Sequence, residues 1–353
     1  MEFGMFHEFQ RPAGMDDATS FAQSFEQVDA AERYGLDVIW LAELHVAPTR
    51  SVLASPLTVA AAIAARTKRV KIGIAVQVLP LCHPLRLAEE VATVDHISHG
   101  RLIFGVGRSG FPRTYMAYGV PYDESRERFA ETLEILQKAW TQESFTHHGQ
   151  FHSFENVHLV PKPFQKPYPE IRVAATNAET FPANGTAGYP IFAAVRLGTL
   201  SELGPNIREY RAAWRAAGHP GEGRVYLRVP VYVADTQAQA ISEPRDSIMN
   251  FYAALGKQLE ESAQLSGARA TEQRAERGQA LQSIKFEDVL QEKVIVGTAK
   301  QVTQRLKDLQ AELGLDGILA ELNCGNAIPH AQVLHSLRLL CEQVKPAFAT
   351  TSR

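Results

Sequence analysis

A single (β/α)8 TIM barrel is the fold class this sequence predicts, and three observations predict it. Short apolar, β-branched runs alternate eight times with amphipathic helical segments along 353 residues. The tract 70–110, VKIGIAVQVLPLCHPLRLAEEVATVDHISHGRLIFGVGRSG, reads as strand, helix and strand in immediate succession. Composition fits a globular barrel, with 45% apolar and 21% charged residues and neither a fixed-period repeat nor a low-complexity tract.

The elements follow in order. Residues 2–6 form a first strand, and Phe21, Phe25, Val28 and Glu32 lie along a helix that ends near Gly35. Residues 37–42, DVIWLA, are the second strand, followed by a helix of small apolar residues over 56–65. The apolar run 70–79, closed by Pro80, suits a strand buried on both faces. Pro84 opens the next helix, whose inner stripe is Leu85, Ala88, Val91, Ala92 and Asp95 and whose end is Gly100. Residues 101–106 are the fourth strand, and a long amphipathic helix spans about 124–140. Residues 171–175, 190–195, 225–233 and 316–321 are strands five to eight, and the last helix covers about 331–344.

Two insertions interrupt the alternation, one after strand four and one after strand seven. Residues 141–169 carry aromatics and four prolines and read as an irregular excursion. Residues 242–291 are the longer one, and their middle, QLEESAQLSGARATEQRAERGQALQS, is rich in Gln, Ala, Glu and Arg with only a weak apolar stripe. They read either as a solvated helical hairpin or as a candidate mobile lid over the barrel mouth.

A formal charge of -3 gives no reason to expect nucleic acid or an anionic membrane as partner. No apolar run approaches the length of a membrane span, and MEFGMFHEFQ lacks the pattern of a secretory signal, so a cytoplasmic location is expected. Three widely spaced cysteines, Cys82, Cys324 and Cys341, do not suggest a disulfide framework. His147, His148 and His152 lack the carboxylate or cysteine spacing of a zinc site, and no metal is expected. His96 and His99 suit a helix C-terminus, where the dipole favours imidazolium.

Gly105-Val106-Gly107-Arg108-Ser109-Gly110 is a literal G-x-G-x-x-G. Its context excludes a dinucleotide fingerprint: Phe111-Pro112 follows at once, and Asp123, Glu124 and Glu127 belong to a helix start rather than a strand end. A guanidinium between glycines at a strand end is nevertheless suited to phosphate. After strand five, Thr176, Asn177 and Thr180 could hand backbone N–H groups to an anion, or could simply cap a helix. Arg126 lies at the start of the long helix.

These motifs, in this order from Met1 to about Val344, resemble the bacterial luciferase family of flavin-dependent monooxygenases. Trp40-Leu41-Ala42-Glu43-Leu44-His45 matches that family's W-x-x-E-H-H with one change. The resemblance implies that Arg108, Arg126, Thr176, Asn177 and Thr180 bind the FMN phosphate. It implies a non-prolyl cis peptide at Ala75-Val76, against which the isoalloxazine ring lies. His45 and Glu43 become the candidate catalytic residues. The first histidine of the pattern, the base of the light-emitting enzymes, is Leu44 here, so light emission with aldehydes is not expected. The luciferases' reactive cysteine is replaced by Gly107.

The implied activity is a monooxygenase that uses reduced FMN and O2 to oxidise a small organic substrate, with the flavin supplied by a separate reductase and the chain as a homodimer. Two alternatives stay open. One is a deazaflavin-dependent oxidoreductase that transfers hydride; the other is a non-catalytic flavin-binding subunit, which the loss of the histidine at Leu44 would suit.

Overall fold

The computed structural model describes residues 1–195, 198–263 and 271–349. Its strands are β1 (Glu2–His7), β2 (Val38–Leu41), β3 (Lys71–Ile74), β4 (Gln77–Val78), β5 (Leu102–Gly107), β6 (Phe145–His148), β7 (Ser153–Val157), β8 (Ile171–Ala174), β9 (Ile191–Ala194), β10 (Val225–Ala234), β11 (Ile295–Thr298) and β12 (Gly317–Glu321). The parallel circuit β1-β2-β3-β5-β8-β9-β10-β12 closes on itself through the β12–β1 pairing. These are the eight expected strands, and the barrel is closed. β11 lies outside the circuit against the outer half of β10, Val231 to Ala234.

The expected third strand is not continuous. Pairing to β5 stops after Gly73, a non-prolyl cis peptide joins Ala75 to Val76, and pairing to β5 resumes at Gln77. The run reads as one apolar strand because its composition records burial and not backbone geometry.

Helices fill the outer ring for ordinary reasons. Asp16 caps the helix Asp17–Tyr34 by accepting from the Thr19 N–H at 2.8 Å, and Gly35 ends it at φ 85°. Helices Thr180–Ala187, Leu200–Ala216 and Ala299–Leu313 were not assigned from sequence. The last two open with capping boxes, Thr199 with Glu202 and Thr298 with Gln301. The final helix is helical over His330–Leu339 and widens into a π-turn over Leu340–Val344.

The barrel interior is built around Trp40, which is fully buried. It fits because glycines face it: a Cβ at Gly73 would lie 2.0 Å from the indole, and one at Gly4 2.3 Å. Below it, Arg172 plugs the N-terminal end, bonding Glu2 at 2.7 Å and stacking 3.5 Å over the Tyr226 ring. A guanidinium with carboxylate and aromatic partners can be buried there without an unpaired charge.

The first insertion is more regular than expected. Within 141–169, β6 and β7 form an antiparallel hairpin. Glu131 anchors its turn by accepting from the His152 N–H at 2.8 Å and the Gln150 N–H at 3.0 Å. The second insertion lies in three helices, the packed pair Gln237–Ala263 and Thr271–Gln282 and the short Phe286–Glu292. Ile248, Phe251, Tyr252, Leu255 and Leu259, all but the last ahead of the polar middle, bury a continuous face against Leu281, Val289 and Cys324. Residues 264–270 of the expected lid lie outside the described residues.

Candidate active site

Glu43 and His45 stand on the loop that leaves β2, at the C-terminal mouth where barrel loops converge. Their side chains are 4% and 8% exposed. Glu43 Oε2 accepts from the Val78 N–H at 2.6 Å and from Gln77 Nε2 at 2.7 Å. Its other oxygen is 2.7 Å from His45 Nε2. A carboxylate oxygen facing this nitrogen fixes the imidazole as the Nε2–H tautomer when neutral, leaving a lone pair on Nδ1. The Tyr118 hydroxyl lies 2.8 Å from Nδ1 and donates to it. Leu44, like Ala75 and Val76, is partly buried and packs over the interior cluster that holds Phe6 and Trp40.

Small residues form one wall of this mouth. Ala75 and Val76 are joined by the cis peptide, and Gly107 and Ala174 stand beside them on β5 and β8. A Cβ at Gly107 would be 2.5 Å from Val76 Cγ2, so a cysteine could not occupy that position without displacing Val76. The Gln77 Oε1 is buried at the same wall and has no hydrogen-bond partner among the described residues. An orphaned acceptor beside a flat, small-residue surface fits a planar ring with an N–H at its edge.

A polar corner lies at the ends of β5 and β8. Arg108 follows β5 and donates from Nη1 to Ser125 Oγ at 2.8 Å. The next residue on that helix, Arg126, reaches Glu179 at 3.3 Å across to the loop after β8. In the loop, the N–H groups of Thr176 and Asn177 lie 3.1 and 3.2 Å from Thr180 Oγ1, and the Thr180 N–H bonds Asn177 Oδ1 at 3.1 Å. The structure therefore brings Arg108, Arg126, Thr176, Asn177 and Thr180 to one end of the barrel. It gathers Glu43, His45, Ala75 and Val76 into the adjoining mouth. The pairing of Gln77 with Val106 and Val78 with Gly107 joins the two groups.

The opposite wall is charged. Arg228 on β10 donates to Glu321, the last residue of β12, at 2.8 Å and to Glu8 at 3.3 Å. Arg50 donates from Nε to Glu8 at 2.8 Å. Burial opposes the Arg50 charge, but Glu8 beside it outweighs that and holds the guanidinium protonated. Sequence reasoning missed this cluster and missed Gln77 and Tyr118. Arg228 and Gln77 had a signal, each being a polar residue inside an otherwise apolar strand run. Tyr118 had none.

Among the described residues, no group of histidine, cysteine and acidic side chains is placed to hold a metal ion. No helix of the described chain is long and apolar enough to cross a membrane.

The family model for luciferase-like monooxygenases matches residues 1–317. The chain belongs to this family. Among its relatives is the oxygenase component of the flavin-dependent trigonelline monooxygenase of Acinetobacter baylyi, 26% identical over 99% of this chain and 96% of that one. The uncharacterized protein y4vJ of Sinorhizobium fredii is 34% identical over 58% of each chain. In three dimensions, the oxygenating constituent of 3,6-diketocamphane monooxygenase of Pseudomonas putida, solved with FMN, superposes with a TM-score of 0.81 over 98% of both chains at 22% identity.

Leu44 packs over the interior cluster and cannot exchange a proton. Gly107 leaves its space to Val76.

Proposed function

We propose that this protein is the oxygenase of a two-component system. It would bind reduced FMN delivered by a separate reductase and use O2 to oxidise a small organic substrate. One juxtaposition carries this reading: the small-residue wall at Ala75-Val76 and Gly107 adjoins the polar corner at Arg108. Arg108, Arg126, Thr176, Asn177 and Thr180 would hold the phosphate, and Ala75 and Val76 would support the ring. The Arg126–Glu179 pair is exposed, and pairs of that kind contribute only about 0–1 kcal/mol, so a phosphate can displace it. Bound there, reduced FMN supplies the electrons for oxygen activation. The chain's own part is to hold the phosphate, exclude water and position Glu43 and His45.

Flavin titration tests this. Arg108→Ala should weaken FMN binding by about 1.5–3 kcal/mol, the worth of a hydrogen bond to a charged group. Riboflavin, which lacks the phosphate, should bind both proteins equally. Equal FMN affinity in the two proteins would remove Arg108 from the site.

Within 242–291, the helix pair Gln237–Ala263 and Thr271–Gln282 is proposed as the cover of the mouth, because the Arg50 guanidinium lies 5.8 Å over the Phe251 ring at the charged wall. FMN or substrate should then slow amide exchange in both helices while the barrel strands change little. Exchange in the pair that ligand leaves untouched would reduce it to a structural appendage.

A further inference from the structure

Resting on that reading, we propose that Tyr118 is a further catalytic residue, the substrate-facing end of a Tyr118–His45–Glu43 hydroxyl–imidazole–carboxylate triad that supplies the acid–base group Leu44 cannot. His45 is committed on both sides. Its Nε2 faces Glu43 at 2.7 Å and its Nδ1 faces the Tyr118 hydroxyl at 2.8 Å, with the two rings 4.8 Å apart and edge-on. No nitrogen of His45 is left to meet a ligand directly. Tyr118, on the segment that follows β5, is 48% exposed while the His45 and Glu43 side chains are nearly buried, so of the three it is the residue open to a molecule in the mouth.

The geometry is that of an activated hydroxyl: hydroxyl to imidazole, imidazole to buried carboxylate, and carboxylate held by further donors. Gln77 and Val78 act as those donors, keeping Glu43 aimed at His45.

The proton step balances within the triad and the ligand. A substrate O–H bond breaks as its proton passes to Tyr118 Oη. The Tyr118 proton passes to His45 Nδ1, and the substrate is left anionic. The imidazolium keeps its Nε2–H on Glu43, which offsets the new positive charge; the reverse transfer returns the proton. Other titratable groups facing this centre do not compete near neutrality. Burial, and then Glu43, push Cys82 up to about 12. Burial likewise raises the phenol of Tyr115 and, together with Glu43, that of Tyr118, so Tyr118 rests as a neutral hydroxyl.

The test has a flavin-free arm and a flavin arm. In the flavin-free protein, 15N-histidine NMR, with His45 assigned by loss of its signals in His45→Gln, should show Nδ1 as a hydrogen-bond acceptor. Tyr118→Phe should move that resonance toward a free lone pair. A His45 spectrum unchanged by Tyr118→Phe overturns the triad.

In the flavin arm the probe is reduced FMN with O2 and no organic substrate. Anionic reduced FMN and O2 give oxidised FMN and hydrogen peroxide with uptake of one proton, and peroxide release is followed against pH. Tyr118→Phe should bind FMN as wild type does yet lose the wild-type pH inflection, with a rate change on the order of 100-fold, the lower range for general acid–base catalysis. His45→Gln should give the same profile, and the double variant no further loss, because members of one unit are not additive. A wild-type profile in Tyr118→Phe, or additive losses, overturns the assignment. If wild type itself binds no FMN, the oxygenase reading falls and the NMR arm alone decides the triad.

Discussion

Arg228→Met should destabilise the protein by about 3–5 kcal/mol, the cost of leaving a buried carboxylate without its partner. Glu321 is 2% exposed and bonds Arg228 through both Nε and Nη2, at 3.1 and 2.8 Å. Glu8 keeps Arg50 in the variant, so the penalty falls on Glu321. Methionine preserves most of the side-chain volume and the contact with Phe6, over whose ring the guanidinium sits at 3.5 Å. The loss is therefore electrostatic and not a cavity effect. Urea unfolding reads it directly, and adding Glu321→Leu should restore much of the stability by removing the stranded charge. An Arg228→Met midpoint that matches wild type would mean that Glu321 finds water or another donor, and the charged wall would then be open to solvent.

Acidification should unfold the chain partly through His7. This histidine is buried at the end of β1, accepts the Phe9 N–H on Nδ1 at 2.9 Å, and donates from Nε2 to Gln27 at 3.1 Å. Burial dominates and lowers its pKa from the ordinary 6.5 to about 4, against the raising effects of the Gln27 bond and of Glu8. Between those values the unfolded chain binds a proton that the folded protein does not. Stability is thus complete above pH 6.5 and falls as the pH drops toward about 4, by about 3 kcal/mol from this group. His7→Asn retains an acceptor for Phe9 without a titrating ring, so its stability should decline less over the same window. Parallel pH profiles for the two proteins would show that His7 takes up its proton in the folded state as readily as in the unfolded one.

The barrel and its closed circuit were legible because each strand is an apolar run bounded by turn residues, and each helix a stripe with a cap or a glycine stop. The capping boxes at Thr199 and Thr298 make their two helices legible in the same way. The hairpin of β6 and β7 was not legible, since its two strands span only four and five residues and their inward positions carry few apolar side chains, Phe145 in β6 and Phe154 and Val157 in β7.

By itself, the sequence determined the fold class, the family, and which strand ends carry Glu43, His45, Arg108 and the loop from Thr176 to Thr180. These are consequences of local periodicity and of motifs a few residues long. Only the tertiary structure decided that Tyr118, 73 positions from His45, completes its hydrogen bonding, and that Arg228 neutralises Glu321 across 93 positions. It alone decided that Gly4 and Gly73 are small because Trp40 fills the space between them. Residue periodicity records which face of an element is buried; it does not record which distant side chain the closed barrel brings against it.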